Sequence, residues 1–301
     1  MIDIAEGLSA QQRGTLGFLS QPQMIPPGAL VYKEGDPAYG FYQVVSGEVQ
    51  LIIKGPDGGE QVVAVMKDSD YFGFAGVATG RPVIRMVTAR ASMPTSILEL
   101  PGNPVEVFEK NFGPGPACQL MRNVLKVFCD GLLRIVELKG EFPRTAHVPL
   151  GSDVTTPEDP AEWLVRVEAA VPTGLMANLF ATRKAAAGDV LLAEGAVAEA
   201  FSYVSAGTVD FVQGKGEGAR VLLTESAPAT FGHLSFFTGR PMPFSAVART
   251  AVTTRLVSQA AFQAFIRSEP EAGLLLLDAL LRLFASRLND EEVGRQRRNL
   301  R

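Results

Sequence analysis

Histidine, cysteine and tryptophan are nearly absent from this sequence. Its 301 residues hold two histidines, two cysteines and one tryptophan. With only His147 and His233, and no cysteine pair at a metal-type spacing, a zinc site is not expected. Neither a Ser-His-Asp pattern nor a phosphate-cradling Walker loop is present, so the chain reads as non-enzymatic, with no catalytic residues and no cofactor. Cys118 and Cys129 fall on one predicted helix, about 16 Å apart, too far for a mutual disulfide. Both read as reduced and packed. Basic charge is in slight deficit: 28 Lys and Arg against 32 Asp and Glu give a net charge of −4. That argues against a nucleic-acid binder, which carries a basic footprint. No apolar run approaches the roughly 20 residues of a bilayer span, so no membrane partner is expected. The first residues lack the basic start and apolar core of a secretory leader. A cytoplasmic protein is expected, and the Ala-, Gly- and Arg-rich composition suggests a bacterial one.

What the chain does contain is said twice. Glu34-Gly35-Asp36-Pro37-Ala38-Tyr39-Gly40-Phe41, followed by Val44, Gly47 and Val49, returns 160 positions later as Glu194-Gly195-Ala196-Val197-Ala198-Glu199-Ala200-Phe201, followed by Val204, Gly207 and Val209. Phe72-Gly73 and Thr79-Gly80-Arg81-Pro82 return as Phe231-Gly232 and Thr238-Gly239-Arg240-Pro241. So long a period means two copies of a whole domain, not a solenoid, whose units run to roughly 20–50 residues. At 47% hydrophobic and 20% charged, the chain can bury a core for each.

Within a copy, glycines bound short runs rich in β-branched and aromatic residues, such as Phe41–Val45 and Val49–Ile53. Gly55-Pro56-Asp57-Gly58-Gly59 is a turn between strands. Many short strands with frequent turns predict a jelly roll or small barrel. Each copy then closes with a helix. Met121, Leu125, Phe128, Leu132 and Ile135 recur at alternating steps of four and three, as do Leu274, Leu277, Leu281, Phe284 and Leu288. Val124 and Leu280 widen these stripes. The stripes serve as plain core, or they pair the helices over 118–138 and 274–288, within one chain as a pseudo-dimer or across a homodimer. Residues 140–172 hold Pro143, Pro149, Gly151, Pro157 and Pro160 and read as a linker in which Trp163 docks part of the segment. The division is 1–139, a Pro-rich linker at 140–172, and 173–301. The fold class is mainly β with α: two β-jelly-roll domains, each followed by a long C-terminal helix.

On the Glu-Gly-Asp turn, the aromatic strand ending in glycine and the Phe-Gly segment, each copy resembles the cyclic-nucleotide-binding domain family. That family's Phe-Gly-Glu-Leu segment and the following loop form a phosphate-binding cassette. The resemblance implies an eight-stranded jelly roll with trailing helices. It also implies a cassette in which helix-end N–H groups and an Arg hold a phosphate, while a Glu holds the ribose. Here the cassettes read Phe72-Gly73-Phe74-Ala75-Gly76 and Phe231-Gly232-His233-Leu234-Ser235. Phe74 and His233 stand where the family has Glu. Counting back from Ala89 and Ala248 puts the family's Arg on Val83 and Met242, so both cassettes read as degenerate. Pro243-Phe244 adds bulk to the second.

Arg81, Arg85, His233 and Arg240 remain as candidate ligand groups. Arg81 and Arg240 are either loop-tip arginines of a Gly-Arg-Pro turn or relocated anion anchors. Arg85 has anion affinity only if its side chain turns inward. His233 is either a buried replacement for Glu or a titrating group. Two intact scaffolds with altered cassettes point to a regulatory or adaptor protein acting through contacts with a protein partner. The alternative is a second-messenger receptor for a non-standard ligand, such as a cyclic dinucleotide of the c-di-GMP type, held by arginines and phenylalanines. Only a short Arg-rich tail follows Leu288, too little for the helix-turn-helix domain of the family's transcription factors.

Overall fold

The computed structural model describes residues 3–38, 40–54, 59–73, 83–85, 87–101, 103–139 and 179–281. The predicted linker, the first cassette from Phe74 to Pro82, and the second helical stripe beyond Leu281 lie outside them.

The first copy folds as two four-stranded antiparallel sheets. One runs β1 (Gln21–Ile25), β10 (Thr95–Pro101), β4 (Gly40–Ser46), β7 (Tyr71–Phe72). The other runs β2 (Leu30–Tyr32), β9 (Thr88–Ala91), β5 (Val49–Lys54), β6 (Glu60–Met66). A short pair, β3 (Pro37–Ala38) with β8 (Val83–Ile84), is added beside them. The second copy repeats this order. Its sheets are β11 (Ala181–Ala185), β18 (Val252–Ser258), β13 (Ala200–Ala206), β16 (Ala229–Phe231), and β12 (Val190–Leu192), β17 (Ser245–Ala248), β14 (Thr208–Gln213), β15 (Arg220–Ser226). Two β-sandwich domains with added helices are thus what the repeated sequence encodes.

Alternation explains the burial. Along β9 and β17 every second residue is buried, which points Ala89 and Ala91, or Ala246 and Ala248, into the sandwich. Phe41, Val44 and Val49 fill the first core, and Phe201, Val204 and Val209 fill the second. Small alanines on one strand leave room for these larger facing residues. Gly47 and Gly207 turn β4 into β5 and β13 into β14 at φ of 98° and 94°. A Cβ on Gly47 would lie 2.6 Å from the Pro94 carbonyl oxygen, so the corner requires glycine.

Helices follow each sandwich in two steps, where the sequence pattern showed only the later, longer one. In the first copy, α2 (Pro104–Phe112) precedes α3 (Pro114–Lys139). Asn103 caps α2 by accepting from the N–H groups of Val105 and Glu106, and Gly113 ends it. In the second copy, α4 (His233–Thr238) belongs to the cassette, and α5 (Gln259–Ser268) is capped by Ser258 and followed by helical residues 270–281. α1 (Ala10–Leu19) opens the chain on a Ser9/Gln12 capping box.

By compactness the chain divides into two units. Among the described residues, the first holds those up to Val124 and Leu277–Leu281; the second holds Leu125–Lys139 and Leu179–Leu276. In the first unit Asn123 is buried on α3 and donates to the carbonyls of Ile4 (2.8 Å) and Glu6 (2.9 Å). Gln119 adds a bond to Glu6, and the N-terminal turn is thereby tied to the helix. Met121, Val124, Leu125 and Phe128 are all buried, as are Leu277, Leu280 and Leu281. Both cysteines are free and buried, as read from their spacing.

Candidate functional site

The strand register decides which residues correspond between the copies. In the first, Val49 pairs with Ala91 and Leu51 with Ala89. In the second, Val209 pairs with Ala248 and Phe211 with Ala246. Ala248 therefore corresponds to Ala91, not to Ala89. The first copy holds two more residues between its Gly-Arg-Pro turn and this strand. Counting back from the corrected anchor moves the expected arginine from Val83 to Arg85, while Met242 keeps its place. Backbone bonds agree. Gly35 N–H donates to the Arg85 carbonyl and Arg85 N–H to Asp36; Gly195 N–H donates to the Met242 carbonyl and Met242 N–H to Ala196. The first copy keeps an arginine at the cassette position where the second has methionine.

Arg85 is 3% exposed. Its Nη1 donates to the carbonyls of Gly40 (2.9 Å) and Gly73 (2.6 Å). Gly73, at φ 80°, permits this approach: a Cβ there would stand 2.8 Å from Nη1. The guanidinium carbon lies 4.4 Å from the Tyr32 ring centre and 5.3 Å from that of Tyr42. Phe72 stacks on Tyr42 at 5.2 Å. Nε is buried and makes no hydrogen bond. Among the described residues no carboxylate pairs with Arg85. A buried, permanently charged group without a counter-ion is costly, and it is a strong attractor for an anion. Burial raises the hydroxyl pKa of both Tyr32 and Tyr42, with the Arg85 charge opposing it, so both stay neutral phenols at physiological pH.

Of the first-copy candidates, Phe72, Gly73 and Arg85 come together here. Phe74, Ala75, Gly76 and Arg81 lie outside the described residues. Tyr32 and Tyr42 were not anticipated. Their signal was available: the second copy has Leu192 and Ser202 at the matching positions, and the difference travels with Arg85 and Met242.

The second cassette is built differently. Met242 and Phe244 are buried, and Phe244 packs edge-on against Phe211. Phe231, Leu234 and Ser235 are also buried, and the Ser235 hydroxyl accepts from the Ala198 N–H at 2.8 Å. Gly232, at φ 80°, starts α4. His233 is half-buried, its Nδ1 3.4 Å from the Thr230 hydroxyl. Arg240, within the second unit, forms an ion pair with Asp130 of α3 at 2.8 Å. Its charge is met within the same unit by Asp130. Phe236 and Phe237 pack with Phe201 and Phe262 in the core rather than forming a stacking platform.

Among the described residues no His, Cys, Asp and Glu cluster could hold a metal, and no helix is long and apolar enough to cross a membrane.

Comparison with known proteins returns the same two segments. The sequence profile of the cyclic nucleotide-binding domain matches residues 22–110 and 182–269. The chain is 32% identical over 113 residues to a cAMP-dependent protein kinase regulatory subunit of Yarrowia lipolytica, covering 38% of this chain and 28% of that protein. It is 31% identical over 97 residues to a CRP-like cAMP-activated global transcriptional regulator of Mycobacterium tuberculosis, covering 32% and 40%. The match thus spans well under half the length of either relative. The regulatory domain of Toxoplasma gondii PKA with cAMP aligns over 94% of this chain and 92% of its own, at 17% identity and a TM-score of 0.33.

Proposed function

The chain belongs to the cyclic nucleotide-binding domain family, with two copies of the domain, and we propose that it is a non-enzymatic regulatory protein whose first copy alone receives a cyclic nucleotide. The observation that carries this reading is Arg85: a buried guanidinium at the cassette position, beside Gly73, with no carboxylate paired to it among the described residues. A phosphate supplies the missing charge through charge-assisted bonds. Met242 offers none, so the second copy serves as a scaffold and as the surface for a protein partner. The names of the relatives support the ligand class, since they include cAMP-dependent and cAMP-activated regulators. Phe74, standing where the family has Glu, removes the usual sugar contact, so a preference shifted away from a simple ribose-anchored mode is expected.

Calorimetric titration of the full chain against cAMP, cGMP and c-di-GMP tests this. One of them should bind, and Arg85→Met should weaken it about 100-fold or more, the loss expected for a desolvated charge contact. Unchanged affinity in Arg85→Met would sink the reading. Tighter binding of c-di-GMP than of either mononucleotide would instead favour the cyclic-dinucleotide receptor. Silence from all three would leave a protein acting through partner contacts alone. Sedimentation of the same sample decides whether the helical stripes also mediate a homodimer.

A further inference from the structure

We propose that Tyr32 and Tyr42 are positioning residues of the anion site, a pair of ring faces that holds the Arg85 guanidinium in place without spending its charge on an internal carboxylate. The proposal rests on the reading of Arg85 as an anion receiver and adds how that side chain is aimed.

The two rings lie 5.7 Å apart and are inclined by 31°, and the guanidinium carbon is within cation–π range of both. An aromatic face attracts a cation through its quadrupole and consumes no N–H donor. A carboxylate in the same place would pair with the fork and compete with every incoming phosphate. The backbone carbonyls of Gly40 and Gly73 take Nη1, and Nε keeps an unspent donor. Among the described residues the charge is therefore oriented and pairs with no carboxylate.

Tyr42 is itself fixed from behind. Its hydroxyl donates to Glu99 Oε1 at 3.3 Å, and the other oxygen of Glu99 accepts from the Gln23 amide. The chain of contacts runs from β1 through β10 and β4 to Arg85. The second copy has none of it. Register places Leu192 at Tyr32, Ser202 at Tyr42, Leu256 at Glu99, and Met242 at Arg85. Packing alone gives no reason for these positions to differ together; a shared task toward the arginine does.

The experiment uses the full chain with cAMP as the calorimetric probe and the Arg side-chain Nε–H resonance as a second readout. The Arg85 signal is assigned by its loss in Arg85→Lys. It should be displaced by the ring currents and protected from exchange, and Tyr32→Leu should return it to the ordinary position. Tyr32→Leu should weaken cAMP about tenfold or more, Tyr32→Phe should retain most of the affinity, and Tyr42→Phe should lose a few-fold by releasing the Glu99 tether. Where Tyr32→Leu fails to fold, the two Phe variants and the wild-type resonance carry the test. An Arg85 resonance at the ordinary position in the wild type overturns the proposal, whether or not cAMP binds. So does wild-type affinity in Tyr32→Leu when Arg85→Met has abolished binding, which leaves the function intact and reduces the tyrosines to packing. Loss of binding in neither Arg85→Met nor Tyr32→Leu removes the function and the positioning role together.

Discussion

At the scale of single residues, the proposed anion site turns on one exchange, Arg85 for Met242, at points held by equivalent backbone bonds in two sandwiches of the same strand order. The exchange could be read from sequence only with the right anchor. Ala89 and Ala91 are both alanines of one strand, and two inserted residues upstream conceal which of them matches Ala248. Burial sets a second residue-scale property. It pushes the Cys118 thiol up to about 12 and raises that of Cys129 as well, with Arg122 opposing in the first case and Asp130 reinforcing in the second. The folded protein thus holds these protons more tightly than the unfolded chain, whose thiols titrate near 9. Their stabilising effect is complete below that pH and is lost as the pH rises from 9 toward 12. The melting temperature is expected to fall over pH 9 to 11, and to fall less steeply in Cys129→Ala compared with the wild type. A thiol reagent at neutral pH should label neither cysteine until denaturant is added; rapid labelling of native protein would contradict the buried assignment.

At the scale of elements, α3 carries polar contacts that its apolar stripe did not announce. In the first unit, Asn123 secures the N-terminal turn. Asn123→Ala removes the side-chain donor from the buried bond to the Ile4 carbonyl, and should cost about 1–3 kcal/mol in urea unfolding. It should also speed proteolysis of the first ten residues. Unchanged cleavage would show that Ile4 and Leu8, both buried, hold the turn by themselves. In the second unit, Asp130 meets Arg240 with side chains 12% and 34% exposed. Asp130→Asn is expected to cost about 1–2 kcal/mol, and a double-mutant cycle with Arg240→Gln should show coupling. Additive effects would place the pair among contacts of no consequence.

At the scale of the whole molecule, the duplication yields two sandwiches, and the proposed function places one ligand site in them. Calorimetry with the best of the tested nucleotides should therefore give one equivalent per chain, not two. At 100 times its Kd, that ligand should stabilise the unit it binds by about 2.7 kcal/mol. A stoichiometry of two would mean that the apolar second cassette, with Met242 and Phe244 buried, binds in a way its side chains do not suggest.

The sequence by itself determined the duplication, the antiparallel sandwich and the closing helices. These rest on local signals: glycines at corners such as Gly47 and Gly207, period-two alternation along β9 and β17, and a three-four stripe on α3. It did not determine the site. A cassette is defined by which side chains meet across strands distant in sequence. Tyr32, Tyr42, Gly73, Arg85 and Glu99 come from five separate segments, and only pairing register brings them together. Tertiary structure also decided the surroundings of two arginines, one in each copy. Arg85 lies against rings and carbonyls and pairs with no carboxylate among the described residues, whereas Arg240 is answered by Asp130. The physical reason is that the free energy of a charge depends on its surroundings: a guanidinium beside a carboxylate is a structural tie, and one among rings and carbonyls is open to an anion.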